Sequence, residues 1–386
     1  MSIETIYILV NIIMVFAACY LVCIGAFTYG MMKFKTERKN SSAMHPYFFA
    51  NMPDSYRKVS VLIAARNEGK NIEKLLQSLY NQTYNKEFFE VILIDDNSTD
   101  NTLELSENFL ASHPEMNLKI FKAAGNGKKQ AVSQALHAAE NKMIMVTDAD
   151  CELPKRWIET MANYFLSHEL KMLLGPVLLS PANTVFEKLQ VLEHLSLIAS
   201  TAGSAAIGMP VMCNGANMMY DRLSALEVES YRTDMKIASG DDMFLMEQFI
   251  KHYGSDSVKF IMDNAAVVKT STMPDLKSFF RQRKRWASKT KAYTNWKIIA
   301  TALTVFLFNF SIAFFFVAGF FIQILWLFFV LYVLMKTLID LPILKKITTF
   351  MRQHQLMKWM LPLEFIYPFY VVFTAISGLF SKVKWK

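Results

Sequence analysis

The segment VSVLIAARNEGKNIEKLLQSLY, residues 59–80, places a short apolar run immediately before a stretch with helical periodicity. Val59–Ala65 is predicted to form a buried strand, and Glu68–Tyr80 a helix with one apolar face. The alternation continues, with strand-like runs at Val91–Ile94, Lys119–Phe121 and Met143–Val146 and helix-like stretches from Asp100 and at Gly127–Glu140. Short apolar runs between helices are typical of parallel strands buried on both faces. The sequence therefore predicts an α/β fold with a mostly parallel sheet over residues 58–290.

Three long apolar stretches flank this region. Thr5–Met32 contains 28 uncharged residues and Ile298–Met335 contains 38. About 20 apolar residues cross the hydrocarbon core of a bilayer, so the first stretch predicts one transmembrane helix and the second a hairpin of two. Trp359–Phe380 contains two prolines and a glutamate, and it predicts either a kinked transmembrane helix or an interfacial one. The predicted organisation is a transmembrane helix at 1–32, a linker at 33–57, the α/β domain at 58–290, a transmembrane hairpin at 296–344, a cytoplasmic or interfacial loop at 345–358 and a final helix at 359–380.

The formal net charge is +8, and the basic residues cluster beside the apolar stretches. Clusters at residues 33–39, 281–291 and 345–352 border the same predicted side of the membrane. Because Lys and Arg favour the cytoplasmic side, the α/β domain is predicted to be cytoplasmic, in an integral protein of a bacterial inner (cell) membrane. With four spans the basic tail at 382–386 would lie outside, which leaves the crossing of residues 359–380 open. Basic membrane edges match anionic lipid headgroups, so no nucleic-acid partner is predicted.

Acidic side chains follow three predicted strands at the point where each strand ends. Glu68 follows the first strand, Asp95 and Asp96 the second, and Asp148 and Asp150 the fourth. In open sheets of this type, ligands bind beyond the carboxyl ends of the strands. The carboxylates of Asp148 and Asp150 can converge on one Mg²⁺ or Mn²⁺ ion, which prefers oxygen ligands and often adds substrate phosphates. The alternative is a solvated turn, where Asp is common.

The second acidic pair also has two interpretations. Ser98 or Asp100 can cap the following helix, which leaves Asp95 and Asp96 free for another role. Two adjacent acids are costly to bury unless they are paired, hydrogen-bonded or liganded, so a nucleoside-binding role and a structural one both remain open. Lys128 opens the next predicted helix, where the amino end attracts phosphate, although such a lysine can also simply face solvent.

Asp241 and Asp242 precede the apolar, helix-like stretch Met243–Ile250. An acid at a helix start is stabilised by the helix dipole and needs no function. If the protein transfers a group to a hydroxyl, however, one of these two residues is the best-placed candidate for the general base that such a reaction requires.

Gln282, Arg285 and Trp286 share one face of a predicted helix through their i, i+3 and i+4 spacing. An arginine can bind phosphate through two parallel hydrogen bonds, and a tryptophan can form the wall of a sugar site. The alternative is a basic and aromatic anchor at the membrane edge.

Together and in this order, these segments resemble glycosyltransferase family 2, the inverting enzymes with a GT-A fold, over residues 58–290. The matching segments are Ala65-Arg66-Asn67-Glu68, Asp95 through Asp100, Gly127-Lys128, Asp148-Ala149-Asp150, Asn214-Gly215-Ala216-Asn217, Gly240-Asp241-Asp242 and Gln282 through Trp286. The QxxRW motif at 282–286, followed by apolar helices, resembles the membrane-bound subgroup of polysaccharide synthases. The single leading span and short trailing bundle also resemble ceramide glucosyltransferases.

The resemblance implies a role for each matched residue. Asp242 would be the catalytic base, with Asp241 beside it, and Asp148 and Asp150 would hold a Mg²⁺ or Mn²⁺ ion. Thr184–Gly208 would form an interface helix that guides the acceptor. The donor-binding residues would be Glu68, Asp95, Asp96, Lys128, Gln282, Arg285 and Trp286, and the acceptor region would include Asn214 and Asn217.

The implied function is inverting transfer of a hexose or N-acetylhexosamine from a nucleoside-diphosphate sugar, with UDP as the expected nucleotide, to a membrane-associated lipid or saccharide acceptor. A processive polysaccharide synthase is the first alternative, which the QxxRW motif favours and the small number of predicted spans opposes. A non-catalytic membrane scaffold that retains the fold is the second, and the intact acidic motifs oppose it.

Overall fold

The computed structural model describes residues 3–34, 53–229 and 241–380. The chain divides into two compact units, each assembled from separate segments. Of the described residues, 53–181, 213–229 and 241–271 form an α/β unit, and 3–34, 182–212 and 272–380 form a helical unit. The domain predicted at 58–290 includes segments of both units, since residues 182–212 and 272–290 cluster with the apolar helices, and its bounds stay a prediction.

The helices, numbered along the chain, are α1 (Ile3–Lys33), α2 (Asp54–Arg57), α3 (Ile72–Tyr80), α4 (Thr102–Ser112), α5 (Lys128–Ala138), α6 (Trp157–Ser167), α7 (Val185–Ala206), α8 (Arg222–Glu229), α9 (Asp241–Tyr253), α10 (Leu276–Ser288), α11 (Trp296–Gly319), α12 (Leu325–Phe350) and α13 (Met360–Phe380). The helical unit contains α1, α7 and α10 to α13, and the others belong to the α/β unit.

A seven-stranded sheet forms the centre of the α/β unit. Together with a separate two-stranded sheet, it uses the strands β1 (Val59–Ala65), β2 (Phe89–Asp95), β3 (Leu118–Lys122), β4 (Met143–Asp148), β5 (Met172–Leu174), β6 (Val177–Ser180), β7 (Met218–Asp221), β8 (Val258–Phe260) and β9 (Val268–Ser271). The sheet order is β3-β2-β1-β4-β7-β5-β8, and β6 pairs separately with β9. Neighbours are parallel except at β7, which runs antiparallel to β4 and β5. The predicted α/β fold with a mostly parallel sheet is confirmed.

The first βα unit follows its apolar pattern closely. β1 coincides with the predicted strand, and its side chains are almost entirely buried. In α3 the residues with helical spacing, Ile72, Leu75, Leu76 and Leu79, are the buried ones. The helix begins later than predicted because residues 69–71 form a turn that leads into it.

A buried amide joins three parts of the α/β unit. The indole N–H of Trp157 donates to Oδ1 of Asn217 at 2.9 Å, and Nδ2 of Asn217 donates to the carbonyls of Pro176 and Ala266 at 2.8 Å each. Gly175 is needed beside this amide, since a Cβ there would lie 2.3 Å from Nδ2 of Asn217. Because its polar atoms are satisfied inside the protein, Asn217 can be fully buried while it holds the loop before β7.

In the part of the chain that the structure describes, four helical segments are long and apolar enough to cross a membrane: Ile13–Lys33, Trp296–Gly319, Leu325–Phe350 and His354–Gly378. The predicted hairpin is present as α11 and α12. However, α12 continues to Phe350, so the loop predicted at 345–358 is shorter than expected. The reason is that Ile343, Leu344 and Ile347 continue one buried helical face past the expected end.

Two glycines allow α1 and α7 to pack with their backbones in contact. A Cβ on Gly30 would lie 2.0 Å from the carbonyl oxygen of Gly203, and a Cβ on Gly203 would lie 2.2 Å from that of Phe27. Any larger residue would force these helices apart. Small residues have the same role where apolar helices cross in membranes.

A charged cluster is buried among α1, α12 and α13. Lys336 Nζ donates to Asp340 Oδ2 at 2.6 Å and to Glu364 Oε2 at 2.5 Å. The Tyr20 hydroxyl lies 2.8 Å and 2.9 Å from the two oxygens of Asp340. Ionisable groups among apolar helices are costly unless they are paired, and here one ammonium serves two carboxylates. The cluster therefore connects three helices through a single lysine.

Replacing this lysine with a residue of similar length and no charge tests the cluster. Lys336→Met leaves Asp340 and Glu364 buried without their cation, and breaking a buried pair in this way costs about 3–5 kcal/mol. We expect a lower Tm for the detergent-solubilised variant when its thermal unfolding is measured by tryptophan fluorescence. Lys345→Met is the matched control, because Lys345 is exposed on the same helix. Equal Tm values for the two variants would contradict a stabilising role for the cluster.

Candidate functional site

The parallel register brings the ends of β1, β2 and β4 side by side. Ala65 of β1 pairs with Asp95 of β2, and Ala64 pairs with Asp148 of β4. The other predicted acids that follow these strand ends are Glu68, Asp96 and Asp150. Since the carboxyl ends of parallel strands share one edge, the structure gathers the predicted acidic residues at the edge where such sheets bind ligands.

Asp148 and Asp150 lie next to a basic side chain. Lys128 Nζ forms an ion pair with Asp148 Oδ1, and both side chains are partly exposed. Asp150 Oδ2 accepts a hydrogen bond from the Thr270 hydroxyl at 3.1 Å. Burial and the neighbouring charge of Asp148 raise the pKa of Asp150 above its ordinary value. Additional positive charge at this position would favour the ionised form of Asp150.

The donor set at this edge fits a hard divalent cation that a substrate helps to bind. Within residues 3–34, 53–229 and 241–380, no group of three or more His, Cys, Asp or Glu side chains could hold a metal ion. Mg²⁺ commonly binds through one or two carboxylates together with phosphate oxygens and waters. Asp148 and Asp150 supply that smaller set. They therefore fit an ion bound together with a diphosphate rather than one held by protein ligands alone.

Asp95 and Asp96 are both buried, with exposed fractions of 4% and 1%. Asp96 accepts the N–H of Gly127 through both oxygens, at 2.9 Å and 3.1 Å, and the guanidinium of Arg66 lies 3.7 Å away. Asp95 Oδ2 accepts the N–H of Ser98 at 3.2 Å, whereas its Oδ1 is buried without a hydrogen-bond partner among the described residues. Protein groups therefore stabilise Asp96, while Asp95 keeps one unused acceptor.

Three turns at this edge require left-handed backbone conformations. Asn67 and Asn97 each have φ of 56°, and Gly127 has φ of 99°. Asparagine tolerates this region better than most residues, and glycine adopts it freely. Asn67 Oδ1 accepts the N–H of Thr99 at 2.8 Å, and Asn97 Nδ2 donates to the carbonyl of Gly125 at 3.2 Å. The loops after β1 and β2 and the loop before α5 are thus hydrogen-bonded to one another.

Asp242 lies in the first turn of α9, beside the turn at residues 214–217. Its Oδ2 accepts the N–H of Gly215 at 3.1 Å, and its Oδ1 accepts the N–H of Met243 at 2.9 Å. In the antiparallel pair of β4 and β7, Val146 is opposite Met218, so this turn lies beside the carboxyl end of β4. Asp242 therefore occupies the same edge as the Asp148 and Asp150 pair. The amino end of α9 favours its ionised form.

The remaining predicted residues of the α/β unit have local roles. The backbone of Asp241 begins α9, and its side chain lies outside the described part of the chain. Glu68 is partly exposed, and its Oε2 accepts from Asn71 Nδ2 at 2.8 Å. Asn214 Oδ1 accepts the N–H of Ala216 at 3.0 Å. The buried Asn217 differs from the acceptor-region prediction, because its amide is hydrogen-bonded inside the core and has no exposed surface.

The predicted donor residues Gln282, Arg285 and Trp286 lie on α10 of the helical unit. The buried residue of this segment is Arg283, which sequence reasoning did not single out. Its Nη2 donates to Glu193 Oε2 at 2.5 Å, and its guanidinium lies 4.2 Å from the centre of the Trp286 ring. The Tyr370 hydroxyl donates to the other oxygen of Glu193 at 3.1 Å. This buried pair connects α7, α10 and α13 and so fixes the position of the motif helix.

Several known proteins are similar to this chain in sequence. Glycosyl transferase family 2 matches residues 60–226. The probable glycosyltransferase YdaM of Bacillus subtilis is 28% identical over 241 residues, which is 60% of this chain and 54% of that protein. The beta-monoglucosyldiacylglycerol synthase of Synechocystis is 32% identical over 115 residues, which is 29% of this chain and 24% of that protein. The chain thus spans between a quarter and about half of the length of these curated relatives.

A solved structure with a similar fold is the mannosyltransferase PcManGT of Pyrobaculum calidifontis in complex with GDP-Man and Mn²⁺. The TM-score is 0.53 at 16% identity, and the alignment covers 95% of this chain and 100% of that one. At this identity the likeness shows the fold alone, and the predicted GT-A fold is confirmed. Residues 60–226, less than half of the chain, therefore match glycosyl transferase family 2.

Proposed function

We propose that this chain is a membrane-associated glycosyltransferase that transfers a hexose or N-acetylhexosamine, with inversion, from a UDP-linked sugar to a membrane-associated acceptor. The observation that carries the proposal is the gathering of Asp148, Asp150, Lys128 and Asp242 at one sheet edge. Together these side chains supply oxygen ligands for a divalent cation, a positive charge for a diphosphate and a carboxylate for proton abstraction.

Donor binding is assigned to the residues around the start of α5. Lys128 begins this helix, whose first N–H groups and positive dipole end attract phosphate. Its ammonium pairs with Asp148, so the diphosphate would bind next to a lysine that is already positioned. A Mg²⁺ or Mn²⁺ ion held by Asp148 and Asp150 would supply positive charge that stabilises the diphosphate as it leaves. Asp95 and Asp96 would line the nucleoside end, where Oδ1 of Asp95 is an unused acceptor.

The chemical step is assigned to Asp242. Its carboxylate takes the proton of the acceptor hydroxyl, and the oxygen bonds to the anomeric carbon as the bond from that carbon to the diphosphate breaks. The electron pair of the broken bond leaves with the diphosphate. Attack from the face opposite the leaving group inverts the configuration at the anomeric carbon. The N–H groups of Gly215 and Met243 hold the carboxylate in place and favour its ionised form, which is the form a base requires.

A lipid-linked acceptor is the class that the helical unit favours. Four of its segments are long and apolar enough to span a bilayer, which suits an enzyme whose acceptor is embedded there. The name of one relative, beta-monoglucosyldiacylglycerol synthase, describes a glycolipid product. The family resemblance assigns Gln282, Arg285 and Trp286 on α10 to donor and acceptor binding, and this assignment stays a prediction.

Asp242→Asn tests the assignment of the base. The amide keeps the size of the side chain but cannot take the proton, so we expect turnover to fall by about 100-fold or more while UDP binding stays close to that of the unmodified protein. Transfer is measured in membranes with labelled UDP-sugars and lipid extract, and UDP binding by calorimetry. Asp256→Asn, at an exposed acid of the same unit, is the matched control. Normal turnover of the Asp242 variant would show that another group takes the proton.

Asp148→Asn and Asp150→Asn test the metal ligands. Lewis-acid stabilisation of a leaving group is worth several kcal/mol, and each 1.4 kcal/mol is a tenfold change in rate, so each variant should lose about 100-fold or more in turnover. In the presence of UDP, each variant should also bind Mn²⁺ more weakly. This binding is measured through the paramagnetic signal of the free ion. Unchanged Mn²⁺ binding in both variants would place the metal elsewhere.

Product length separates single transfer from the processive alternative, which the Gln282 to Trp286 motif favours. Single transfer predicts one added sugar on the labelled lipid in a denaturing gel or thin-layer separation, whereas a ladder of products would establish polymerisation. If neither transfer nor donor hydrolysis occurs over a broad donor panel with Mn²⁺, the scaffold alternative is the correct one.

A further inference from the structure

The helical unit has an open basic groove on the surface of α10 and α13. We define this basic groove by its lining residues, which are Lys277, Phe280, Arg281, Lys284 and Phe373. Its volume is about 610 Å³, and the surface that lines it is mostly apolar, so its basic character comes from the three charged residues among its lining residues. The proposed transfer reaction uses none of these five side chains, although four of them lie on α10 with the Gln282 to Trp286 motif and Phe373 lies on α13.

The three basic residues share one helix face, because positions 277, 281 and 284 follow the i, i+4 and i+7 spacing. Among the described residues, no carboxylate lies within ion-pair distance of these three groups. The nearest acid along the helix is Asp275, whose oxygens accept the N–H and the hydroxyl of Ser278. Even when Asp275 is included, the basic residues of the groove outnumber the acid, so the net formal charge is positive.

An apolar groove adjoins the basic one and shares Phe373 with it. Its lining residues are Ala313, Phe369, Val372, Phe373, Ile376 and Ser377, and its volume is about 370 Å³. The ammonium of Lys284 lies 4.9 Å from the centre of the Phe373 ring, so this ring marks the boundary between the charged and the apolar surface. Phe373 itself is 51% exposed.

The helix α10 runs alongside α13 in the same direction. The ring of Phe280 lies 5.3 Å from that of Phe373, and further along a Cβ on Gly378 would lie 2.6 Å from Cβ of Ala287. Residues 354–378 form one of the segments long and apolar enough to cross a membrane. The basic face of α10 therefore lies beside α13, a helix with an apolar surface that suits lipid.

From this arrangement we infer that the two grooves together bind one phosphate-headed lipid of net negative charge, with its headgroup on Lys277, Arg281 and Lys284 and an acyl chain in the apolar groove. The charge complements a phosphate, which Arg can bind through two hydrogen bonds. A free phosphate would use only the basic half, whereas a lipid also covers the exposed ring of Phe373. Basic residues next to membrane-spanning helices attract anionic lipids in the same way.

This binding needs neither donor nor metal, so its test is independent of the proposed transfer reaction. The full-length protein in detergent is titrated with dioleoyl phosphatidylglycerol or dioleoyl phosphatidylcholine, and bound lipids are counted by native mass spectrometry. We expect phosphatidylglycerol to bind about tenfold more tightly or better, because only this lipid brings a net negative charge. Equal binding of the two lipids would overturn the inference.

Variants assign the binding to the grooves. The triple variant Lys277→Gln, Arg281→Gln, Lys284→Gln should lose the preference for phosphatidylglycerol. The matched control Lys70→Gln, Lys122→Gln, Lys155→Gln removes the same charge from exposed positions of the α/β unit and should keep it. Retention of the preference in the groove variant would exclude the basic groove as the site, provided that both variants melt at similar temperatures.

A further variant tests the apolar half. Ala313→Phe fills part of the apolar groove and should weaken the binding of dioleoyl phosphatidylglycerol severalfold, whereas dihexanoyl phosphatidylglycerol, with shorter chains, should be affected less. If inorganic phosphate competes for the site as strongly as the lipid does, or if Ala313→Phe binds the dioleoyl lipid normally, the basic groove does not bind a lipid chain and the inference fails.

Discussion

The parallel pairing of β1 with β2 on one side and with β4 on the other determines where the charged side chains of the α/β unit lie. Each pairing is fixed by hydrogen bonds along strands whose side chains are nearly all buried. A slip of one residue would exchange the faces of every side chain in a strand, which a buried strand does not tolerate. The same register that buries the apolar residues therefore delivers Asp95 and Asp148 to one edge, and the turn that contacts Asp242 is aligned to that edge through β7.

Acidic side chains at the two edges of the sheet differ in the hydrogen-bond partners they have. At the amino edge, Glu90 accepts from the Ser60 hydroxyl at 2.6 Å, from Lys119 Nζ at 2.8 Å and from the N–H of Glu140 at 3.0 Å. An acid with this many partners is part of the structure. At the carboxyl edge, by contrast, Asp148 is partly exposed and Asp95 has an unused oxygen. The buried oxygen of Asp95 that the described residues leave without a hydrogen bond is the one at this edge that a ligand-binding role would use.

Local patterns in the sequence were sufficient to predict the strands, the helices and the acids at the strand ends, because all of these depend on short-range periodicity. They were not sufficient for contacts made over long separations. Thr270 meets Asp150 across 120 positions and Arg283 meets Glu193 across 90, and neither partner carries a signal in its own segment. For the same reason, the sequence did not indicate that α7 and α10, both inside the predicted domain at 58–290, cluster with the apolar helices. Asn217 is the last residue of the matched segment Asn214-Gly215-Ala216-Asn217, yet only its three hydrogen bonds reveal that it belongs to the core.

The glycine contact between α1 and α7 and the link from Tyr20 to Asp340 have a consequence for biosynthesis. Tyr20 and Asp340 are separated by 320 positions, which a ribosome takes on the order of tens of seconds to cover. The last strand of the α/β unit ends at Ser271, so that unit can fold while the final three helices are still unmade. During this interval the first helix has no Asp340 to contact, whereas Gly203 of α7, its other partner, is already made. Tyr20 and Gly30 of α1 are thus contact sites for segments of the same chain that are synthesised later.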